Sequence, residues 1–501
     1  MPYLLLQIVL IPLVAAVFVL LIRSRRGFLF GWISIAALIY TTVLLIIAGV
    51  RVYTDGHIFE QYAIGPDVSL NLLADGLSLP VGLIINLICI ALASYSLHYV
   101  EHRIDIIYPE ADADTRNLYF KRFFFLYLFF PAGFMGVAFS TNLITIYFFL
   151  ELLTIVPLYF IMAQFGYSDY ISRYKVALMC LFWGVAGATL FLIGIVLGYT
   201  QIGSFEIFDL PKLAGRPQTF WIALLILTGL GTKLAIIPLH VWMPWVHAEH
   251  PTCIAGLLAI YANIAAYVVV RVLILPLTAD MQVFSLPLMV LAMITMAYGG
   301  FLTLSQTDAK RFCACSTISQ ISYSVFGIAA MNGLGVQGGM FYFLSHILGK
   351  AILFSTAGIL VYTVETRDTR QMGGLWQKMP LTAILWFSAA LTLSALPPTS
   401  GFVGKWIFFT GAFQKLQSDP FGIVLVVAAI LSTLITLIYT FLVGIRIFFG
   451  PLKSKAGDHP IQDPPLSMSI PLLVLALMVF ALGLFPQPIL DLLNNALTSL
   501  P

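Results

Sequence analysis

Apolar residues along this chain come in long unbroken runs rather than at helical spacing. Stretches such as 29–50 and 466–486 contain no charged residue, and an α-helix needs about 20 apolar residues to span a bilayer. A soluble amphipathic helix would instead place its apolar residues on one stripe. Runs that are apolar all round predict fourteen membrane spans, centred on 2–22, 29–50, 77–99, 120–139, 141–163, 173–199, 219–240, 252–276, 284–304, 312–331, 336–362, 381–415, 423–449 and 468–488. The predicted fold class is an all-α polytopic membrane protein.

Composition agrees and narrows the classes further. Of 501 residues, 60% are hydrophobic and 9% charged, against about 25% charged in a soluble domain. A net charge of +3 gives no nucleic-acid footprint. The five cysteines form no CxxC pair and read as packing residues, so neither a zinc nor an iron–sulfur site is expected in this chain. No basic stretch precedes the first run, while Arg23, Arg25 and Arg26 follow it. That order predicts an uncleaved first span rather than a removable signal peptide.

Charge becomes more informative once sorted by side. Alternating the connections places 17 basic residues on one side, from Arg23 to Lys455, and five on the other: Arg51, Lys212, Arg216, Arg271 and Lys415. The positive-inside rule makes the first side cytoplasmic, puts both termini outside and suggests the cell membrane as location. The three remaining basic residues, Lys233, Lys350 and Lys405, lie inside apolar runs, as does Glu151 alone among the carboxylates. A charge at mid-helix costs roughly 2.5–3.5 kcal/mol on insertion scales, so such residues face a bundle interior and mark ion paths.

Two runs have the wrong shape for one straight helix. Segment 381–415 would be about 52 Å long at 1.5 Å per residue, against a hydrocarbon core of about 30 Å. Its centre carries Pro397, Pro398 and Gly401; segment 219–247 carries Gly229, Gly231, Pro238 and Pro244. Broken membrane helices free backbone groups where transporters build ion sites. The breaks fall in spans seven and twelve, each the fourth span of a five-span unit. The expected organisation is therefore a three-helix segment (1–119), two five-helix repeats of opposite topology (120–276 and 284–449) and a C-terminal helix (450–501).

Six strings in order then carry a resemblance: ADGLSL at 74–79, FFLELL around Glu151, GTKLAIIPLHVWMPWVHAEHPT at 231–252, QTDAKR at 306–311, HILGKAILF at 346–354 and LPPTSGFVGK at 396–405. With these strings the chain resembles, over nearly its whole length, the antiporter-like subunits shared by respiratory complex I, Mrp-type cation/proton antiporters and related membrane-bound hydrogenases. The resemblance implies a proton-translocating or sodium-translocating module that works beside other antiporter-like and small membrane subunits. It implies a relay of Glu151, Lys233, Lys350 and Lys405, with His346 one turn before Lys350. Lysine at 405 looks more like the Mrp D-type than members with glutamate there. Where many members carry a lysine on the eighth helix, NIAAYVVVR has Asn263, which cannot titrate; water held by Asn263, Tyr261 or a histidine would have to carry that link.

The chemistry expected of such a set is general. A nearby carboxylate supports the charged form of a lysine in a dry bundle, so a separable carboxylate–lysine pair is a two-state element that a partner can bias. Moving one charge against 100 mV costs about 2.3 kcal/mol. No nucleotide loop or cluster motif supplies that drive here, which places its source in partner subunits; the resemblance implies that any flavin, iron–sulfur or nickel–iron centres lie there, on a peripheral cytoplasmic redox arm where the complex has one. His240 and Lys175 are candidate accessories. His240, His247 and His250 read as a water-exposed funnel or loop contact beside a broken helix rather than as metal ligands, Arg173 and Lys175 as interfacial anchors rather than relay members, and Asp308, Lys310 and Arg311 as a cytoplasmic turn or subunit contact. The competing function is a homologous structural subunit that anchors a redox arm without moving ions, which Asn263 favours; a third is a stand-alone solute transporter.

Overall fold

The computed structural model describes residues 3–65, 68–453, 461–498 and 500; Lys455, counted above on the basic side, lies outside them. Among the described residues, twelve helices are long and apolar enough to cross a membrane: α1 (Leu4–Leu21), α2 (Phe28–Asp55), α3 (Ser78–Ile107), α4 (Ala113–Phe139), α5 (Leu143–Phe165), α6 (Tyr170–Ile202), α8 (Thr252–Ile274), α9 (Thr278–Leu304), α10 (Ala309–Ala329), α11 (Gly333–Val364), α13 (Pro420–Phe448) and α14 (Leu466–Leu484). Two further segments are each split: α7a (Pro217–Lys233) with α7b (Met243–Glu249), and α12a (Pro380–Leu393) with α12b (Ser400–Leu416). A short helix, α15 (Gln487–Ala496), follows. Between α2 and α3, β1 (Ile58–Glu60) pairs antiparallel with β4 (Leu72–Ala74), and β2 (Ala63–Gly65) with β3 (Val68–Ser69).

Polar residues just ahead of the apolar runs start the helices. Asp112, Asn142, Asp169, Asp308, Asn332 and Asp419 each accept a backbone N–H from the first turn that follows, a cap worth about 1 kcal/mol. The connections they begin then gather at two ends of the bundle. At one end, Glu60 accepts from the backbone of Leu5 and Leu6. Glu206 there gathers Ser69, Asn71, Thr141 and Asn142, and Lys415 reaches Gln282. At the other end, Asn117 donates to the Arg25 carbonyl, Tyr167 to that of Glu249 and Gly374 to that of Phe449; Arg367 pairs with Asp308. Arg23, Arg25, Arg103, Lys310 and Arg367 lie at this second, basic end.

The apolar stretches of α8 and α10 are wholly buried within the chain, whereas only about a third of those of α6, α13 and α14 is. With lipid as solvent, close backbone approach rather than apolar burial holds helices together. Gly229, expected as a helix breaker, lies inside α7a; a Cβ there would meet the backbone of Gly187 and Phe191 on α6. Gly231 also stays helical, and Pro244 sits in the first turn of α7b, where its missing N–H costs nothing. The true breaks run from 234 to 242 and from 394 to 399 and use one backbone device. Ala235 and Ala395 both take positive φ (51° and 57°). The next residue in each, Ile236 or Leu396, donates to the carbonyl five residues back, Gly231 or Leu391.

Candidate functional site

Glu151 sits in the last turn of regular helix in α5, just before a wider π-turn at Thr154–Tyr159 that contains Pro157. Lys233 is the last residue of α7a, where the carbonyl end of a half-helix favours a cation. Its Nζ lies 3.1 Å from Glu151 Oε1, 3.2 Å from Thr154 Oγ1 and 2.9 Å from Tyr261 OH on α8. The Thr154 hydroxyl also meets Tyr261 OH at 2.8 Å. Lysine and glutamate side chains are 2% and 11% exposed, so removing either partner would strand a buried charge. Trp242 folds back across the break and donates from Nε1 to the Thr232 carbonyl at 2.8 Å. A cavity of about 10 Å³ beside Lys233, lined by Cys180, Gly184 and Tyr261 among others, is of the size that holds one water.

Asn263, two residues beyond Tyr261, points toward α11 instead. Its Nδ2 donates to the Ala259 carbonyl at 2.6 Å, which fixes the orientation of the amide. Oδ1 therefore faces His346 Nδ1, 3.0 Å away. Because an amide oxygen only accepts, Nδ1 carries the hydrogen, and Nε2 of the neutral ring is a bare acceptor. Nε2 is buried with no protein partner. The residue that breaks the family's lysine pattern thus orients the histidine next to the central lysine.

Lys350, one turn further along α11, is fully buried; its Nζ donates to the Cys313 carbonyl at 3.1 Å and to the Ser316 hydroxyl. Lys405, in the second turn of α12b, donates to the Leu393 carbonyl at 3.2 Å, at the end of α12a. Its Nζ stands 3.6 Å from the centre of the Tyr323 ring and 5.2 Å from that of Tyr342, and Tyr342 stacks against His346. Gly404 and Gly338 allow α12b to lie against the backbone of α11, which is what brings Lys405 to Tyr342. Among the described residues, Lys350 and Lys405 form no ion pair.

Two accessories stay apart from this line. Lys175 is exposed on α6, as an anchor should be. His240, half-buried in the break of α7, packs edge-on against Tyr298 with ring centres 5.1 Å apart. Two other expectations need correcting, and one buried carboxylate went unread. Lys310 is not part of an open turn: it is fully buried, with Nζ on the His250 carbonyl and 3.6 Å above the Tyr167 ring. Arg173, read as an interfacial anchor, is buried as well. Glu249 is a second buried carboxylate, accepting from Ser168 N and Oγ at 2.6 and 2.7 Å. Loops 166–169 and 250–251 close over these groups, which the polarity of the local strings gave no means of seeing. At the opposite end Arg271 holds Asp75 through two bonds of 2.7 and 2.6 Å. Burial works to raise the Asp75 pKa, but Arg271 and the backbone N–H groups of Ser78 and Leu77 hold it at about 2.

Residues 140–436 match the family described as NADH:quinone oxidoreductase/Mrp antiporter, transmembrane. NADH-quinone oxidoreductase subunit M of Pseudomonas aeruginosa is 30% identical over 438 residues, covering 85% of this chain and 81% of that one. A chain of the Mrp complex from Dietzia sp. DQ12-45-1b has the same fold with a TM-score of 0.85 at 22% identity, covering 99% of this chain and 97% of its own. A chain of an archaeal membrane-bound sulfane sulfur reductase follows with a TM-score of 0.82 at 20% identity, again covering 99% and 97%.

Proposed function

Because the chain belongs to the family of NADH:quinone oxidoreductase and Mrp antiporter transmembrane subunits, we propose that it moves protons through a relay of Glu151, Lys233, His346, Lys350 and Lys405. The observation that carries this reading is the buried Glu151–Lys233 pair, held at 3.1 Å with Tyr261 as a shared neighbour. Lys233 would be the first carrier and Glu151 its modulator. When Glu151 is protonated or withdraws, the ammonium loses its counter-charge and can release a proton; when the pair re-forms, the lysine reloads. Tyr261 and Asn263, on opposite faces of buried α8, lead from Lys233 to His346, whose bare Nε2 suits a proton or a water. Lys350 would act as central carrier and Lys405 as the carrier nearest a neighbouring subunit. Protons suit this set better than sodium, since ammonium groups hand on protons and repel cations.

The wider setting follows from the same reading. Both split segments would cross, giving fourteen spans, with 120–276 and 284–449 as inverted repeats; the shared device at Ala235 and Ala395 supports this. The basic end would face the cytoplasm of a cell membrane, leaving both termini outside. About 2.3 kcal/mol per charge per 100 mV must come from elsewhere. In this reading it comes from partner subunits that carry any redox cofactors, or from a second ion gradient. The test is Glu151→Gln in the assembled complex in sealed vesicles. Ion movement should fall at least tenfold while assembly persists; unchanged movement would exclude the pair as modulator.

A further inference from the structure

A cleft of about 430 Å³ opens at the basic end of the bundle, between the α1–α2 connection and the first turns of α4. It has no part in the relay. Its polar wall is cationic, with Arg23, Arg25 and Lys121, against one carboxylate, Asp114. The connection itself is clamped to α4: Lys121 Nζ donates to the Ile22 carbonyl at 3.0 Å and Asn117 Nδ2 to the Arg25 carbonyl at 2.8 Å. Both clamps use backbone oxygens of the connection and leave the two guanidinium groups unspent. Among the described residues Arg23 and Arg25 form no ion pair, and both are exposed.

The other wall is apolar, formed by Ile22, Phe30 and Leu118. It continues out of the cleft along α1, where Phe18 and Leu21 are exposed to 54% and 75%. A cationic recess at the end of a membrane helix, continuous with a lipid-facing apolar stripe, matches an amphiphile with a negative head. We propose that this cleft seats the headgroup of an anionic phospholipid, with its acyl chains along Phe18 and Leu21. The phosphate lies among Arg23, Arg25 and Lys121; Asp114 repels it, but the three cations outweigh that one carboxylate and favour a head with net negative charge. Free phosphate shares the charge but gains nothing from the apolar wall. Each basic side chain near an anionic headgroup contributes about a fivefold gain in binding, so the two arginines together supply more than tenfold.

The experiment uses the complex purified through this chain, stripped of lipid in detergent and titrated with phosphatidylglycerol under native mass spectrometry. Binding of phosphatidylglycerol should exceed that of phosphatidylcholine, and R23Q/R25Q should weaken it at least tenfold. Neither arginine holds another part of the fold, so the thermal midpoint of the lipid-free variant should match the unaltered protein. Equal binding of the two lipids, or an R23Q/R25Q variant that keeps its phosphatidylglycerol, would overturn the proposal. Displacement of the lipid by an equal concentration of inorganic phosphate would overturn it too, in favour of a simple anion site. A second readout needs no change at the arginines. A fluorophore on Leu118→Cys should be quenched more by brominated phosphatidylglycerol than by brominated phosphatidylcholine, and equal quenching counts against the site.

Discussion

Asn263→Leu separates a relay that runs through His346 from one that stops at α8. Leucine keeps the branched shape of the side chain but removes the one acceptor of His346 Nδ1–H among the described residues, now 3.0 Å from Oδ1. A buried donor left without a partner costs about 1–3 kcal/mol. Moving the hydrogen to Nε2 does not recover that cost, because Nε2 has no partner among the described residues either; it only removes the bare acceptor that the relay needs. Converted at 1.4 kcal/mol per decade, the preference for the Nδ1–H tautomer over the Nε2–H tautomer falls by roughly 5-fold to 150-fold, and the ring loses the contact that fixes its orientation. The lost bond to the Ala259 carbonyl adds little, because that carbonyl also lies within the helix ladder. The assay is ion uptake into sealed vesicles driven by the complex, normalised to the amount assembled. A drop in transport, with Asn263→Asp keeping more than Asn263→Leu because it retains an acceptor, is the expected pattern. Full transport by Asn263→Leu would refute the histidine as a link.

Other consequences are as direct. Tyr261→Phe removes one of three oxygens on Lys233 Nζ; at about 1.5–3 kcal/mol for a bond to a charged group, transport should fall roughly tenfold or more with assembly unchanged. Gly404→Ala places a Cβ 2.9 Å from the backbone of Tyr342, and an overpacking cost of about 1–3 kcal/mol should appear as a lower thermal midpoint together with lost transport. Asp75, held at about 2 by Arg271, contributes stability that is present above its unfolded pKa of about 3.9 and is lost as pH falls through about 2. The unaltered protein should therefore show an acid-dependent midpoint in that window that Asp75→Asn lacks, the difference at neutral pH being of order 2 kcal/mol.

Much of the architecture was legible because lipid imposes a one-dimensional rule: apolar runs span, polar residues cap, and the few internal charges must have a reason to be there. Glu151, Lys233, Lys350 and Lys405 stood out by being expensive. Thr154 does not stand out, because a neutral hydroxyl inside an apolar run looks like packing until a lysine is placed about 3 Å from it; Tyr261 reads from sequence only as a possible holder of water near Asn263, not as a partner of Lys233. Gly229 was misread as a breaker for a related reason. Glycine in a membrane helix serves either a break or a close contact, and only the position of α6 decides which. Lys310 escaped notice since its burial depends on loops from α5 and α7b closing over it, a tertiary effect absent from the local string QTDAKR. Asn263 was seen as a departure, but not as the partner of His346, because the two lie 83 residues apart.

The most direct test of the relay is Lys350→Ala, measured as ion translocation per turnover by the intact complex in sealed vesicles. Lys350 is fully buried and pairs with no carboxylate among the described residues, so its removal strands no opposite charge and the complex should still assemble. If the lysine is the central carrier, the assembled variant loses the share of translocation that passes through this subunit. An assembled Lys350→Ala complex that translocates as many ions per turnover as the unaltered one would contradict the relay.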